Sequence, residues 1–183
     1  YGSGKSSFAV LLDALFGPAT EPSRTTAHEL IRTVSPEVVQ LVEEARNSYD
    51  ADTTGFIRAV ITAEREPIAV TVLRALMHGV ERFEPPAKVK KALNAVAKEI
   101  REMHTAFTAS PSVLPDSHKV KSVVASLAGC APVLLVIDEF GKNLEAFADS
   151  HSDADLYLLQ QLAEASRGSN ALPLVLVTLQ HMS

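Results

Sequence analysis

The chain has 183 residues, a formal net charge of −5 and a hydrophobic fraction of 46%, a composition typical of a single globular domain. The acidic balance gives no general signal for nucleic-acid binding, and a single cysteine, Cys130, excludes an internal disulfide. No apolar stretch approaches the roughly 20 residues that cross a bilayer, so we expect a cytoplasmic protein without a membrane partner.

The chain begins with a pattern that binds phosphate groups. Residues 1–7 read Tyr-Gly-Ser-Gly-Lys-Ser-Ser, which fits the later part of G-x-x-x-x-G-K-[ST], and the first glycine of that pattern would precede Tyr1. Glycines let backbone N–H groups turn toward phosphate oxygens, Lys5 would reach the β- and γ-phosphates, and Ser6 would place its hydroxyl on Mg²⁺. The predicted nucleotide-binding residues are Gly2, Ser3, Gly4, Lys5, Ser6 and Ser7. The alternative is a flexible glycine-serine end.

An amphipathic helix is predicted directly after this pattern. Apolar residues within 8–16 recur at three- and four-residue spacing, and the pair Gly17-Pro18 should end the helix with a glycine cap. A helical insertion is then expected at about 20–54, with one of its helices starting at Ser35-Pro36.

The central part of the chain combines a strand with long helices. The run 55–62 predicts a strand, and Pro67 opens the following helix. A second helical insertion is expected at about 86–130. Its main helix carries apolar residues in steps of four and three, namely Val89, Leu93, Val96, Ile100, Met103 and Phe107. This spacing fits an arm that pairs with another helix or touches nucleic acid, but over fewer than three heptads we favour a helix packed on its own sheet.

Residues 133–139 form an apolar run that ends in two carboxylates, Asp138 and Glu139. The run predicts a strand buried on both faces of a parallel sheet, and such sheets bind ligands at the carboxyl ends of their strands. Asp138 would hold Mg²⁺, and Glu139 would orient or deprotonate an attacking water. The alternative interpretation is a core strand followed by an ordinary solvated loop. The phosphate-binding pattern at Lys5 and Ser6 argues against this alternative.

A third strand is predicted at 174–180, after a helix within 156–163. The order strand, helix, strand is that of a parallel crossover. Lys142 and Asn143 follow the two acids on the same side of the sheet. They would contact a γ-phosphate, a neighbouring subunit or nothing, and the sequence does not choose between these alternatives.

The phosphate-binding pattern, the acid-tipped strand and the strand at 174–180 together resemble P-loop ATPases of the division with an additional core strand and a catalytic glutamate, which includes AAA+ and STAND proteins. The resemblance implies a three-layer α/β/α fold with a parallel sheet and inserted helices. In the strand order 5-1-4-3-2 of that division, this chain would supply strands 2, 3 and 4. It would lack the first and last core strands, so we expect one partial domain over 1–183, a fragment that starts within the motif.

The resemblance also implies ATP and Mg²⁺ as ligands and ATP hydrolysis as the activity of a larger protein. The catalytic residues would be Lys5 and Glu139, with Thr178 and Gln180 as candidates for the residue that senses the γ-phosphate. The parent protein would be a motor or remodeller that acts on DNA or a protein client, with a homo-oligomer as one possible assembly. The alternative is a STAND-like switch in which ATP binding drives assembly and turnover is small.

Overall fold

A computed structural model describes residues 3–150 and 154–180, with the backbone alone for Ser3, Ser150, Ala154 and Asp155. This part of the chain is a mixed α/β structure of eight helices around three strands. The helices are α1 (Ser3–Leu15), α2 (Pro22–Val34), α3 (Pro36–Ser48), α4 (Ile68–Arg82), α5 (Ala87–Ala109), α6 (Ser117–Ala128), α7 (Gly141–Ser150) and α8 (Ala154–Ala165). The strands are β1 (Ile57–Thr62), β2 (Val133–Asp138) and β3 (Leu174–Thr178). None of the described helices is both long and apolar enough to cross a membrane.

The three strands form one parallel sheet with β2 in the centre. Every residue of β2 is buried, as the apolar run predicted. Thr62, Asp138 and Thr178 end their strands at the same edge of the sheet. β1 begins at Ile57, two residues later than predicted, because Gly55 has a left-handed φ of 70° that interrupts the extended backbone. β3 ends two residues before the predicted boundary.

Helices cover both faces of the sheet, which gives three layers. Leu134 faces a core formed with α1, α2 and α3, whereas its neighbour Leu135 faces a larger core formed with α4, α5, α6 and α8. This alternation is what a strand between two helical layers requires. The α/β class is therefore confirmed, and the segments 20–54 and 86–130 are largely helical.

The long helix α5 packs within the chain. Leu93 and Ile100 are buried, and Val96 and Met103 pack beside them against the larger core. The main neighbours of α5 are α4 and α6. Packing within the domain therefore explains the apolar spacing, as favoured from the sequence, although the partners are helices more than the sheet itself.

The end of α1 differs from the sequence prediction. The helix ends at Leu15, and Gly17 does not adopt the left-handed backbone of a glycine cap. Instead, the buried guanidinium of Arg46 donates hydrogen bonds to the carbonyl oxygens of Leu15 at 3.2 Å and Gly17 at 2.8 Å. A Cβ at position 17 would lie 2.7 Å from Glu21 Oε2 and 2.9 Å from Arg58 Nη1, so a larger residue there would displace the ion pair between these two side chains.

Candidate functional site

The first turn of α1 carries most of the predicted phosphate-binding residues. Ser3 and Gly4 are already helical, whereas the sequence predicted the helix directly after this pattern, and Gly2 lies outside the described residues. The first N–H groups of a helix have no acceptor within it, so this end of α1 is positively polarised. The Lys5 side chain is half-buried, and the two serines that follow it, Ser6 and Ser7, are exposed.

The central contact of the site joins Ser6 to Asp138. Ser6 Oγ donates a hydrogen bond of 2.6 Å to Asp138 Oδ2 across 132 positions of the sequence. Asp138 is the last residue of β2, and only 7% of its surface is exposed. The fold therefore brings together the serine of the first pattern and the aspartate of the second.

Asp138 is held from two further directions. Its Oδ1 accepts a hydrogen bond of 2.9 Å from the backbone N–H of Glu139, and its carbonyl oxygen accepts one of 2.8 Å from Ala63, just beyond β1. Mg²⁺ takes one or two protein oxygen ligands and completes its shell with water and phosphate oxygens. The hydroxyl of Ser6 and the carboxylate of Asp138 fit that donor set. The described residues contain no group of three or more His, Cys, Asp or Glu side chains that could hold a metal ion.

Glu139 occupies a strained turn directly after β2. Its φ is 54°, in the left-handed region that non-glycine residues rarely adopt. The N–H of the next residue, Phe140, donates a hydrogen bond of 2.9 Å to the carbonyl oxygen of Leu179, which follows β3. Backbone strain of this kind clusters at functional sites, where the surrounding structure holds it in place.

Lys142 forms an ion pair with Glu139 across the first turn of α7. Its Nζ contacts Glu139 Oε2, and the two side chains are 46% and 50% exposed. The hydrogen bond to Glu139 raises the pKa of Lys142 above its usual value, and the charges of Glu139, Glu64 and Glu145 add to that effect against a smaller loss from desolvation. The carboxylate of Glu139 is thus engaged by a cation.

The two sensor candidates lie at the same edge of the sheet. Thr178 ends β3 opposite Ile137, and its side chain is exposed. The side chain of Gln180 lies beside Gly141, since a Cβ on that glycine would be 3.4 Å from Gln180 Nε2. Gln180 is therefore next to the turn that carries Glu139. The sensing role of either residue stays a prediction.

Sequence reasoning missed a buried polar network beside this turn. Asn143 is fully buried, and its Nδ2 donates to the carbonyl oxygen of Glu66 and to Thr71 Oγ1, both at 2.8 Å. Thr71 and Arg74 in turn donate to Glu66 Oε1 at 2.7 and 2.8 Å. Asn143 therefore attaches α7 to the loop after β1 and to α4. No local pattern could have shown this, because the partners lie more than 70 positions away.

Comparison of the chain with protein-family models, with curated proteins and with solved structures gave no match. The fold and the site define it as a mixed α/β protein with a parallel sheet. At the carboxyl edge of that sheet, a serine and an aspartate are hydrogen-bonded next to a strained glutamate.

Proposed function

We propose that this chain is the ATP-binding and Mg²⁺-dependent ATP-hydrolysing core of a P-loop protein. The observation that carries the proposal is the 2.6 Å hydrogen bond between Ser6 Oγ and Asp138 Oδ2. One bound Mg²⁺ can contact both the hydroxyl of Ser6 and the carboxylate of Asp138 only if these two groups lie close together. The parallel order β1-β2-β3 is also the order that the resemblance implies for strands 2, 3 and 4.

The first turn of α1 would bind the phosphate groups. Free N–H groups at a helix N-terminus attract anions, and Lys5 adds a full positive charge there. Ser6 and Asp138 would hold Mg²⁺, which neutralises phosphate charge when bound. Among the described residues, a Cβ on Gly4 would meet no atom within 4 Å apart from its chain neighbours and the backbone of α1.

Glu139 is the candidate general base for hydrolysis. Its half-exposed carboxylate follows Asp138 directly, and the turn that carries it is fixed by hydrogen bonds on both sides. In the proposed reaction, a water oxygen bonds to the terminal phosphorus and the bond to the ADP oxygen breaks. The water proton passes to Glu139, and the products are ADP and inorganic phosphate.

A second function, a nucleotide-dependent switch with little turnover, is favoured by a different observation. The carboxylate of Glu139 contacts Lys142, and this ion pair competes with a water molecule for the same oxygen. ATP binding would then drive assembly of the protein instead of rapid catalysis. In the first function, turnover would drive movement or remodelling of DNA or of a protein client.

The test is MgATP binding and turnover by the full-length protein and its Lys5→Ala variant. We expect the wild type to bind and Lys5→Ala to lose binding, because the charge next to the phosphates is removed. Lys91→Ala, which changes an exposed lysine on α5, is the control and should bind like the wild type. Absence of MgATP binding by the wild type would refute the proposal.

Turnover measured with and without double-stranded DNA separates the two functions. Turnover that rises with DNA supports a motor acting on nucleic acid, and turnover that is indifferent to DNA favours a protein client. Tight binding with negligible turnover under both conditions supports the switch.

A further inference from the structure

We propose that Lys142 distinguishes ATP from ADP by exchanging its partner, the carboxylate of Glu139, for the terminal phosphate of ATP. This inference rests on the proposed function, because it assigns a further contact within the same nucleotide site. It makes Lys142 a specificity-determining residue, whereas an exposed lysine in a first helical turn would ordinarily be a solvated surface group.

The first argument is position. Contacts run without a gap from Ser6 to Asp138 Oδ2, from Asp138 Oδ1 to the N–H of Glu139, and from Glu139 Oε2 to Lys142 Nζ. The backbone N–H of Lys142 also donates a hydrogen bond of 3.0 Å to the carbonyl oxygen of Glu139. Lys142 is therefore built into the same turn as the carboxylate proposed to face the reacting phosphate.

The second argument is charge. Asp138 and Glu139 place two carboxylates next to the site, and a triphosphate adds several negative charges there. Like charges in close contact are unfavourable, and a cation between them removes the repulsion. Lys142 already contacts Glu139, and its flexible four-carbon side chain can change partner without movement of the backbone.

The third argument is the weakness of the existing ion pair. Both side chains are about half exposed, and exposed ion pairs are among the weaker interactions in proteins. A terminal phosphate carries more negative charge than a carboxylate, so the exchange favours ATP. ADP lacks that phosphate group and leaves Lys142 on Glu139.

The decisive variant is Lys142→Met in a Glu139→Gln background. Glu139→Gln suppresses turnover, so that dissociation constants for MgATP and MgADP can be measured, and it removes the charge that Lys142 would otherwise neutralise. We expect Lys142→Met to weaken MgATP binding about tenfold or more, as for loss of a hydrogen bond to a charged group. The dissociation constant for MgADP should change by less than about twofold, because ADP lacks the phosphate group that Lys142 is proposed to contact. Lys142→Arg should keep most of the preference for ATP because it keeps the charge.

Lys91→Met in the same background is the control and should leave both constants unchanged. An unchanged MgATP constant in Lys142→Met, or an equal loss for both nucleotides, would overturn the role of Lys142 while leaving the proposed function intact. If neither the wild type nor the Glu139→Gln protein bound either nucleotide, the proposed function and this inference would both fail. Thermal unfolding of each variant shows whether the fold is retained, as expected for a half-exposed side chain.

Discussion

Glu139, the proposed general base, is also a residue with a strained backbone conformation. A left-handed φ costs a non-glycine residue about 1–2 kcal/mol. The strain is maintained because the N–H of Glu139 is bound by Asp138 and the N–H of Phe140 by Leu179. The backbone therefore sets the direction in which the side chain of Glu139 leaves the turn.

This strain predicts that Glu139→Gly is more stable than Glu139→Ala by about 1 kcal/mol. Both variants lose the ion pair with Lys142, but only glycine relieves the left-handed φ of 54°. Urea denaturation of the two variants measures the difference in the free energy of unfolding. Equal stabilities would show that the turn stores no strain at this position.

The proposed base predicts a different result for Glu139→Gln. Glutamine keeps the size and the backbone strain but accepts no proton at neutral pH. MgATP turnover should therefore fall about 10²-fold or more while MgATP binding is retained. The measurement is kcat together with the dissociation constant, and turnover equal to that of the wild type would exclude Glu139 as the base.

At the scale of the element, structures built from apolar runs were predictable from the sequence. β2 and α5 follow local hydrophobic patterns, and each lies where its pattern predicted. Ser6 and Asp138, the two predicted Mg²⁺ ligands, are in contact in the structure, and their role as ligands stays a prediction. What the sequence did not show depends on hydrogen bonds between distant segments, as for Arg46 at the end of α1 and Asn143 in α7.

The attachment of α7 by Asn143 gives a stability prediction. Asn143→Ala removes the donor to Glu66 and Thr71 in a fully buried position, so we expect the free energy of unfolding to fall by about 2 kcal/mol. Asn94→Ala, which changes an exposed asparagine on α5, is the matched control and should have little effect. Chemical denaturation measures both, and equal losses in the two variants would contradict the structural role of Asn143.

At the scale of the whole molecule, ion pairs connect the two helical layers around the outer edge of β1. Arg58 in β1 is 4% exposed and donates to both carboxylate oxygens of Glu21, at 2.7 and 2.6 Å. Arg82 at the end of α4 reaches Asp13 in α1 with hydrogen bonds of 3.1 and 2.8 Å. Charged groups at the edge of a sheet also discourage the addition of a further strand.

This network predicts a pH dependence of stability. The hydrogen bond from Arg58 lowers the pKa of Glu21 below its usual value of 4.5, against a smaller effect of desolvation. A carboxyl group with a lowered pKa stabilises the fold above its unfolded pKa, and this contribution is lost as the pH falls through the folded pKa. Glu21→Gln should therefore cost about 1 kcal/mol near neutral pH, a value reduced by the partial exposure of the side chain.

The cost of Glu21→Gln should shrink as the pH falls below the usual value of 4.5. Urea denaturation of the wild type and the variant over a series of pH values measures this trend. Glu99→Gln, at an exposed position on α5, is the control and should show no such trend. A constant difference between wild type and Glu21→Gln at all pH values would contradict the assignment.

The position of Leu179 links the last strand mechanically to Glu139. Its N–H donates to the carbonyl oxygen of Ile137, and its own carbonyl oxygen accepts from Phe140, both at 2.9 Å. Within the described part of the chain, β3 pairs with β2 alone, so its outer edge has free backbone groups. A load applied along β3 or a strand added to it would displace Leu179, and the two backbone hydrogen bonds would carry that displacement to Ile137 and Phe140, on either side of the Asp138-Glu139 pair.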